Sequence, residues 1–248
     1  MSAAPLAGRR VLVTRAIEDS GIWSTRLIAL GAEAVILPCI NTEFFHDEDT
    51  RTRLEAALLD ADWLCITSAR CADAVARLTD ISAIQRTPPI RVAAVGGATA
   101  AAARTQLGCT PFVARGGTSR TLGEELLNEL APAPAISKIV VAGAEDGRTD
   151  LEEVLVPGGA LVTRVNVYRT VPAERSGPAL DHVAENISDV VLASPSAVQG
   201  WLNQVSSPGS VRIFTIGPTT SAAVTAAGFI VAGEAVHPTF DSLVEAMQ

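Results

Sequence analysis

The stretch Asn166-Val167-Tyr168-Arg169-Thr170-Val171 holds the only tyrosine among the 248 residues of the chain. An apolar run at 160–165 precedes it and Pro172 follows it, a pattern that favours an extended segment. A second short segment, Pro38–Glu43, also follows an apolar run. We predict that these two segments form a two-stranded connection between two domains. Tyr168 would then face a cleft between the domains, where the chemistry takes place.

Strand-like and helix-like patterns alternate along the chain. Arg10–Thr14 is a short apolar run, and the apolar residues of Ser20–Leu30 recur at the spacing of one helix face. Gly31 follows at a position where helices commonly end, and Ala34–Leu37 is the next apolar run. Strands are further predicted at 63–67, 90–95, 112–114, 138–142, 160–165, 189–193, 212–216 and 229–232. Helices are predicted at 51–60, 68–78, 96–107, 122–130, 150–155, 178–186, 194–202, 217–227 and 240–247, with a loop at 131–135. This alternation is typical of an α/β fold with parallel sheets.

The chain repeats itself once, which predicts two similar α/β domains that arose by internal duplication. Three blocks align in the same order: 11–38 with 139–166, ITSARCADAV at 66–75 with LASPSAVQGW at 192–201, and AVGGATAAAARTQLG at 94–108 with TIGPTTSAAVTAAG at 215–228. Two topologies remain open at this point. The halves form tandem domains, or the first strand-helix-strand unit joins the last units while the centre of the chain forms a separate domain.

Composition excludes several functional classes. The formal net charge of −8 argues against nucleic acid or an anionic membrane as the main partner. No apolar run approaches the ~18 residues of a membrane span, and the first residues lack the apolar core of a signal peptide, so we expect a cytoplasmic protein. The cysteines lack metal-binding spacing and are expected to be buried, reduced thiols; they are Cys39, Cys65, Cys71 and Cys109. The three histidines are scattered along the chain, so we expect no zinc site.

Several predicted strands end in small hydroxyl residues or glycine, and a helix begins at once. The segments are Thr67-Ser68, Gly96–Thr99, Ser194–Ser196 and Gly217–Thr220. In a parallel sheet these ends meet at the carboxyl edge, where ligands bind. Helix N-termini add unpaired N–H groups and a positive dipole. The four segments therefore predict a site for a ligand with many anionic groups, and ordinary helix capping is the alternative.

Candidate side chains for chemistry are few. Arg15, Arg70, Arg148 and Arg169 follow strand ends or lie in the connection; each could pair with a carboxylate, or be a solvated surface residue. No nucleophile–base signature and no Walker A pattern is present, so a reaction here needs little from side chains. Tyr168, with an ordinary phenol pKa of ~10, can donate a proton or a hydrogen bond. Packing within the connection is the alternative role for this tyrosine.

The ordered set of motifs resembles the uroporphyrinogen-III synthase family. The motifs are VLVTR at 11–15, ITSARCADAV at 66–75, AVGGATA at 94–100, VYRT at 167–170, LASPSAV at 192–198 and TIGPTT at 215–220. The resemblance extends from about Val11 to Met247; no single motif is specific, but the ordered set is. One departure is Ala16, where family members often have proline.

The resemblance implies a particular architecture and reaction. Residues 1–37 and 172–248 would form one domain, 44–165 the second, and 38–43 with 166–171 the two-stranded linker. The family converts hydroxymethylbilane to uroporphyrinogen III in haem biosynthesis, closing the ring with inversion of ring D and loss of water, without cofactor or metal. The chain would be a monomeric lyase that receives its substrate from hydroxymethylbilane synthase.

The resemblance also implies roles for residues. Tyr168 corresponds to a linker tyrosine that assists departure of the hydroxyl group. Substrate-binding positions correspond to Ser68, Arg70, Thr99, Ser194, Ser196 and Thr220. Four further residues are predicted to bind substrate because of their positions at strand ends; they are Arg15, Gly96, Arg148 and Thr219. A non-catalytic tetrapyrrole- or polyanion-binding module of the same fold is the alternative function, and an unrelated two-domain protein that binds a small anion is a third.

Overall fold

The computed structural model describes residues 4–130, 137–175, 186–206 and 209–248. They form an α/β protein with two mostly parallel sheets, which confirms the predicted fold class. The chain divides into two compact units, Met1–Thr42 with Thr170–Gln248 and Glu43–Arg169. The helix predicted at 178–186 and the loop predicted at 131–135 lie almost wholly outside the described residues.

The first unit contains a parallel five-stranded sheet. Its strands are β1 (Arg10–Val13), β2 (Glu33–Ile36), β9 (Asp189–Leu192), β10 (Arg212–Thr215) and β11 (Val231–Glu234), in the order β11-β10-β9-β1-β2. Its described helices are α1 (Ile17–Ala29), α8 (Pro195–Gln204), α9 (Pro218–Ala226) and α10 (Phe240–Met247). All four residues of β9 are buried, as expected for a central strand covered on both faces.

The second unit contains most of a six-stranded sheet in the order β3-β8-β7-β4-β5-β6, and the first residues of β3 and the last residues of β8 belong to the first unit. Its strands are β3 (Ile40–Phe44), β4 (Trp63–Ile66), β5 (Arg91–Ala94), β6 (Phe112–Val113), β7 (Lys138–Ala144) and β8 (Leu161–Pro172). Its described helices are α2 (Glu48–Leu59), α3 (Ala69–Leu78), α4 (Ile81–Ile84), α5 (Gly97–Leu107), α6 (Ser119–Leu130) and α7 (Glu152–Leu155). The pairs β5–β6, β4–β5, β4–β7 and β7–β8 are parallel.

The internal repeat is visible in the strand order. In the aligned blocks, β7 and β8 correspond to β1 and β2, while β4 and β5 correspond to β9 and β10. The order β5-β4-β7-β8 therefore reproduces the order β10-β9-β1-β2. The second sheet differs because β3 is added beside β8. Hydrogen bonds from Phe45 N to Val167 O (3.1 Å) and from Ala173 N to Cys39 O (2.8 Å) show that β3 and β8 are antiparallel.

Local signals explain most element boundaries. Helix α1 buries Trp23 and Leu27 on one face, and Gly31 takes the left-handed φ of 88° that favours glycine. Several predicted boundaries were wrong: α1 begins at Ile17 rather than Ser20, α6 begins at Ser119 rather than Leu122, and the short helix α4 was not predicted. Helix α2 begins at Glu48 rather than at residue 51, because the Asp47 carboxylate accepts a hydrogen bond from Thr50 N. The apolar run 160–165 and the connection are one continuous strand, β8, and β11 lies two residues later than predicted.

The cysteine prediction was correct for three residues. Cys39, Cys65 and Cys71 are buried free thiols, whereas Cys109 is only half-buried because it follows the end of α5. Burial raises the pKa of Cys65 to about 12, so this thiol is not ionised at neutral pH. Within the described residues, no helix is both long and apolar enough to cross a membrane.

Candidate functional site at the carboxyl edge of the second sheet

Strands β4, β5, β7 and β8 bring predicted site residues to one edge of the second sheet. Strand β4 ends at Ile66, and Ser68 caps α3, with its Oγ accepting a hydrogen bond from Cys71 N at 3.2 Å. Gly96 occupies the same N-cap position at the start of α5, without a side chain to cap it. Tyr168 lies opposite Ala144, the last residue of β7, beyond an irregularity in the pairing. Because these strands are parallel, the carboxyl ends of β4, β5 and β7 meet at this edge, and β8 continues past it to Pro172.

Tyr168 is held at the edge by its backbone and by its phenol group. Its carbonyl oxygen accepts a hydrogen bond from Glu145 N at 2.8 Å. Its phenol oxygen lies 3.3 Å from Ser68 Oγ, a contact between residues 100 positions apart in the chain. The ring packs in the apolar core, 6.4 Å from the ring of Phe44, and the residue is 7% exposed. The tyrosine is therefore packed and also presents its hydroxyl to a polar partner.

Two further side chains extend this polar contact inward. Cys71 Sγ lies 3.2 Å from Ser68 Oγ and 3.4 Å from Thr67 Oγ1. Thr67 Oγ1 donates to Ala142 O at 3.5 Å. Sequence reasoning named Ser68 and Tyr168 but missed the part played by Cys71. The spacing Ser-x-x-Cys at a helix N-terminus was the available signal, because residues three apart on a helix lie on the same face.

Arg164 supports the loop that follows β7. Its guanidinium donates to Ala144 O at 2.9 Å and to Asn166 Oδ1 at 3.0 Å, and it forms an ion pair with Glu152. A Cβ atom at Gly147 would lie 2.6 Å from Arg164 Nη2 and 2.9 Å from Ala144 O, so a larger residue here would displace the guanidinium and crowd the backbone. Sequence reasoning missed Arg164 because it stands inside an apolar strand pattern.

The remaining predicted residues of the second unit differ in exposure. Arg70 and Gly96 are half-buried, Arg148 is exposed and lies 3.7 Å from Asp150, and Thr99 is buried in the first turn of α5. Arg169 forms an ion pair with Glu43 at 2.8 Å. The hydrogen bond from Arg169 lowers the pKa of Glu43, which keeps this carboxylate charged. Arg169 therefore already pairs with a carboxylate of its own unit.

The carboxyl edge of the first sheet holds the other predicted residues. Ser194 caps α8, and its Oγ lies 2.9 Å from Ser196 Oγ. Thr219 is exposed, whereas Thr220 is buried in the first turn of α9. The Arg15 guanidinium lies 4.8 Å from the centre of the Trp23 ring and 3.1 Å from Asp19 Oδ2. In the described part of the chain, the buried Arg15 Nε has no hydrogen-bond partner.

The class is an α/β protein built from a duplicated unit, with hydroxyl groups and helix N-termini at the carboxyl edges of its sheets, the edges at which proteins of this class bind ligands. A family model described as "Uroporphyrinogen-III synthase HemD" matches residues 22–245. The chain belongs to the uroporphyrinogen-III synthase family, as its motifs indicated.

Individual relatives agree with this assignment. The chain is 26% identical over 234 residues to the uroporphyrinogen-III synthase of Synechococcus elongatus, covering 89% of this chain and 87% of the relative. It is 28% identical over 245 residues to the chloroplastic uroporphyrinogen-III synthase of Oryza sativa subsp. japonica, covering 96% and 79%.

Solved structures agree on the fold. The uroporphyrinogen-III synthetase of Helicobacter pylori 26695 has a TM-score of 0.54 at 14% identity, with coverage of 96% of this chain and 97% of that chain. A mutant uroporphyrinogen III synthase from Thermus thermophilus has a TM-score of 0.50 at 17% identity and covers 97% of both chains. The predicted function, a uroporphyrinogen-III synthase of haem biosynthesis, is confirmed by the family and its named members, and nothing favours the non-catalytic alternative.

Proposed function

We propose that the chain is a cyclising hydro-lyase that converts hydroxymethylbilane to uroporphyrinogen III, with inversion of ring D, and that Tyr168 is its catalytic residue. One observation carries the proposal. The only tyrosine of the chain is fixed at the carboxyl edge of the second sheet, with its hydroxyl 3.3 Å from the Ser68 hydroxyl. This is where α/β proteins bind their ligands, and the chain belongs to a family named for this reaction.

The reaction begins with loss of the terminal hydroxyl group. The lone pair of the pyrrole nitrogen forms a C=N double bond within the ring, and a C=C double bond forms to the terminal carbon as its C–O bond breaks. Tyr168 donates its proton to the departing hydroxyl group, which leaves as water. The product is an azafulvene electrophile. Hydrogen-bond donation or proton transfer from a positioned side chain typically contributes roughly 10²–10⁴-fold to such steps.

Ring closure with inversion depends on the shape in which the substrate is held. The substituted carbon of ring D attacks the electrophile and gives a spiro intermediate. The bond between this carbon and its original bridging carbon then breaks. The bridging carbon forms a new bond to the free position of ring D, which inverts the ring. The ring then loses a proton, which returns to the phenolate, so that one water molecule is lost overall. Unassisted closure gives the isomer without inversion, so the protein must favour the conformer that leads to the spiro intermediate.

Substrate-binding residues are proposed at the strand ends of each sheet. The eight side-chain carboxylates of hydroxymethylbilane match N–H groups at helix N-termini, hydroxyl groups and arginines. Thr99 is buried, so it would contribute through its backbone N–H rather than through its hydroxyl. Thr220 is also buried and its N–H already donates to Gly217 O at 3.1 Å, so it would act by shaping the first turn of α9. The proposed substrate-binding residues are Arg15, Ser68, Arg70, Gly96, Thr99, Arg148, Ser194, Ser196, Thr219 and Thr220.

A location in the cytoplasm is supported by the free cysteines of the described residues, which suit a reducing compartment. The family resemblance supports three further parts of the proposal. The domains comprise residues 1–37 with 172–248 and residues 44–165, with 38–43 and 166–171 as the linker. The enzyme acts as a monomer. It receives hydroxymethylbilane from hydroxymethylbilane synthase.

The test is an isomer assay with hydroxymethylbilane generated in situ, followed by oxidation and separation of the porphyrin isomers. Wild type is expected to give mainly the type III isomer, and Tyr168→Phe is expected to lower kcat by about 10²-fold or more because it removes the proton donor. Thr105→Val is the matched control, since it removes one hydroxyl from the exposed part of α5 in the same unit. Type I isomer at the spontaneous rate from wild type would refute the function. A Tyr168→Phe enzyme as fast as Thr105→Val would refute only the role of the phenol.

A further inference from the structure

We propose that Arg164 is a positioning residue for substrate binding, which holds the loop 145–148 so that Arg148 stands where it meets a substrate carboxylate. This loop follows strand β7 and leads towards helix α7. The inference rests on the proposed function, in which Arg148 is one of the substrate-binding residues. Arg164 itself touches no substrate in this scheme and acts only through the loop.

The Arg164 guanidinium contacts backbone carbonyls at both ends of the loop. Its Nη2 donates to Ala144 O, just before the loop, at 2.9 Å, and its Nη1 donates to Arg148 O, at the end of the loop, at 3.4 Å. Its Nε donates to Asn166 Oδ1 at 3.0 Å, which fixes the guanidinium to its own strand, β8. One planar group with donors in a fixed arrangement therefore connects the loop to a strand of the sheet.

Two glycines allow the backbone to approach this guanidinium closely. A Cβ atom on Gly143 would lie 2.7 Å from Arg164 Nη2, and one on Gly147 would lie 2.6 Å from the same atom. The first residue of the loop is also held by backbone, because Glu145 N donates to Tyr168 O at 2.8 Å. The start of the loop is therefore joined to β8 through backbone, and Arg164 supplies a contact at its end.

An ion pair keeps the Arg164 guanidinium in this orientation. It pairs with Glu152, the first residue of α7, and the two side chains are only 22% and 15% exposed. Within the described part of the chain, the buried Glu152 Oε2 has no hydrogen-bond partner, so this carboxylate depends on the charge of Arg164. Because separating such a pair leaves a buried charge uncompensated, the guanidinium stays where it also contacts the loop.

The position of the loop decides which charge meets the substrate. Its four residues include the exposed acids Glu145 and Asp146 and the exposed Arg148. A substrate with many carboxylates is attracted by the arginine and repelled by the acids. The exposed ion pair of Arg148 with Asp150, at 3.7 Å, contributes little to holding the side chain. The contact of Arg164 with the carbonyl of residue 148 therefore sets where the binding charge stands.

Trypsin measures the hold on the loop without turnover, because it cuts after arginine and Arg148 lies in the loop. Cleavage within a folded protein requires local opening, so the rate at this bond reports how often the loop opens. Arg164→Lys keeps a positive charge beside Glu152, but one ammonium group does not reproduce the planar contacts with both carbonyls. We expect cleavage after Arg148 to be about fivefold faster than in wild type, the effect of one lost neutral hydrogen bond. Mass spectrometry of the fragments identifies this cut.

The kinetic test separates positioning from general damage to the fold. Arg164→Lys is expected to raise KM about fivefold, with kcat changed by less than about twofold, because Tyr168 stays packed in the core. In the Arg148→Ala background, the same change should leave KM unaltered, because the charge that the loop positions is gone. A merely structural role would lower the active fraction, and so kcat, in both backgrounds without changing KM.

Arg51→Lys is the matched control within the same unit. Arg51 donates from helix α2 to Leu78 O at 3.0 Å, so the control alters a comparable contact between an arginine and a backbone carbonyl. It should change neither the cleavage after Arg148 nor KM.

A second set of variants replaces Arg164→Lys if that variant does not fold. The double variant Arg164→Gln with Glu152→Gln removes the contacts with the loop carbonyls and leaves no buried unpaired charge. It should show the faster cleavage and the higher KM. Glu152→Gln alone keeps the contacts of Arg164 with the loop and should show neither change.

The outcomes separate the inference from the proposed function. The inference requires faster cleavage after Arg148, a higher KM, and loss of the KM effect in Arg148→Ala. The absence of any one of these results would overturn it and leave the enzyme assignment intact. Failure of wild type to make the type III isomer would refute the proposed function, while the trypsin rate would still test whether Arg164 holds the loop.

Discussion

At the scale of single residues, Asp189 is a carboxylate wholly removed from solvent. Its side chain is 0% exposed and forms ion pairs with Arg9 at 2.6 Å and with Arg212 at 2.9 Å. Ser188 Oγ donates to it at 2.7 Å. Burial by itself would raise the pKa of Asp189, but the hydrogen bonds from Arg9 and Ser188 and the two positive charges outweigh burial and lower it. The charged form is therefore the one that the folded state stabilises.

We predict that Asp189→Asn lowers the free energy of unfolding by about 3 kcal/mol at pH 7, because it leaves a half-buried arginine without its charge partner. In wild type, the folded-state pKa lies below the unfolded value of ~3.9. The stabilisation from Asp189 is therefore fully present above the unfolded-state pKa and is lost as the pH falls through the folded-state pKa. Urea unfolding at several pH values measures both effects, and the pH dependence should be smaller in the variant.

Glu33→Gln is the control for this prediction. Glu33 pairs with Arg10 at 2.9 Å, but its side chain is exposed. Exposed ion pairs contribute roughly 0–1 kcal/mol, so this variant should unfold almost like wild type. Equal losses in Asp189→Asn and Glu33→Gln would contradict the argument that burial makes the first pair matter.

At the scale of elements, helix α8 packs directly against backbone. A Cβ atom on Gly200 would lie 1.7 Å from Cys39 O and 2.9 Å from Ala173 N. These two atoms belong to the hydrogen bond that joins the segments flanking β3 and β8 in the first unit. Glycine is therefore required at position 200 because any side chain would collide with this backbone. The φ angle of Gly200 lies outside the left-handed region, so backbone conformation does not require glycine here.

We predict that Gly200→Ala destabilises the protein by about 3 kcal/mol or more, because the helix must move away from the strand backbone. Gly21→Ala should do the opposite. Gly21 lies in α1, and nothing in the described chain comes within 4 Å of a Cβ atom placed there. Alanine gains roughly 0.5–1 kcal/mol over glycine inside a helix. Chemical unfolding followed by circular dichroism compares the two, and a stabilised Gly200→Ala would contradict the packing argument.

At the scale of the whole molecule, the two units differ in how the chain builds them. The second unit is one continuous segment, Glu43–Arg169, whereas the first combines two segments of the chain. The second unit has apolar clusters on both faces of its sheet, centred on Leu64 with Val75 and on Cys65 with Leu126. A continuous segment with its own core meets the usual conditions for independent folding.

We predict that residues 43–169 expressed alone fold cooperatively, with a single thermal transition in circular dichroism. Residues 1–42 alone should remain unfolded, because β1 and β2 lack the neighbouring strand β9. Near or below ~40 residues, a chain of this kind cannot bury enough apolar surface to offset its conformational entropy. A random-coil spectrum for residues 43–169 would show that this unit needs the rest of the chain.

The sequence by itself determined the α/β class, the duplication, most strands and helices, and the family. Apolar periodicity, helix caps such as Ser68 and stops such as Gly31 act within a few residues, so they can be recognised in the sequence. The family motifs are likewise short segments in a fixed order. Sequence reasoning also singled out Tyr168 because it is the only residue of its kind.

Only the tertiary structure decided which of these residues meet. Ser68 and Tyr168 are 100 positions apart, and their contact exists because β8 runs past the edge of the sheet at which β4 ends. The Arg9–Asp189 pair joins residues 180 positions apart. The fit of Arg164 against Gly147 depends on the path of the loop after β7, and the Gly200–Cys39 approach depends on how α8 packs. Such contacts follow from strand order and packing geometry, which no local pattern in the chain encodes.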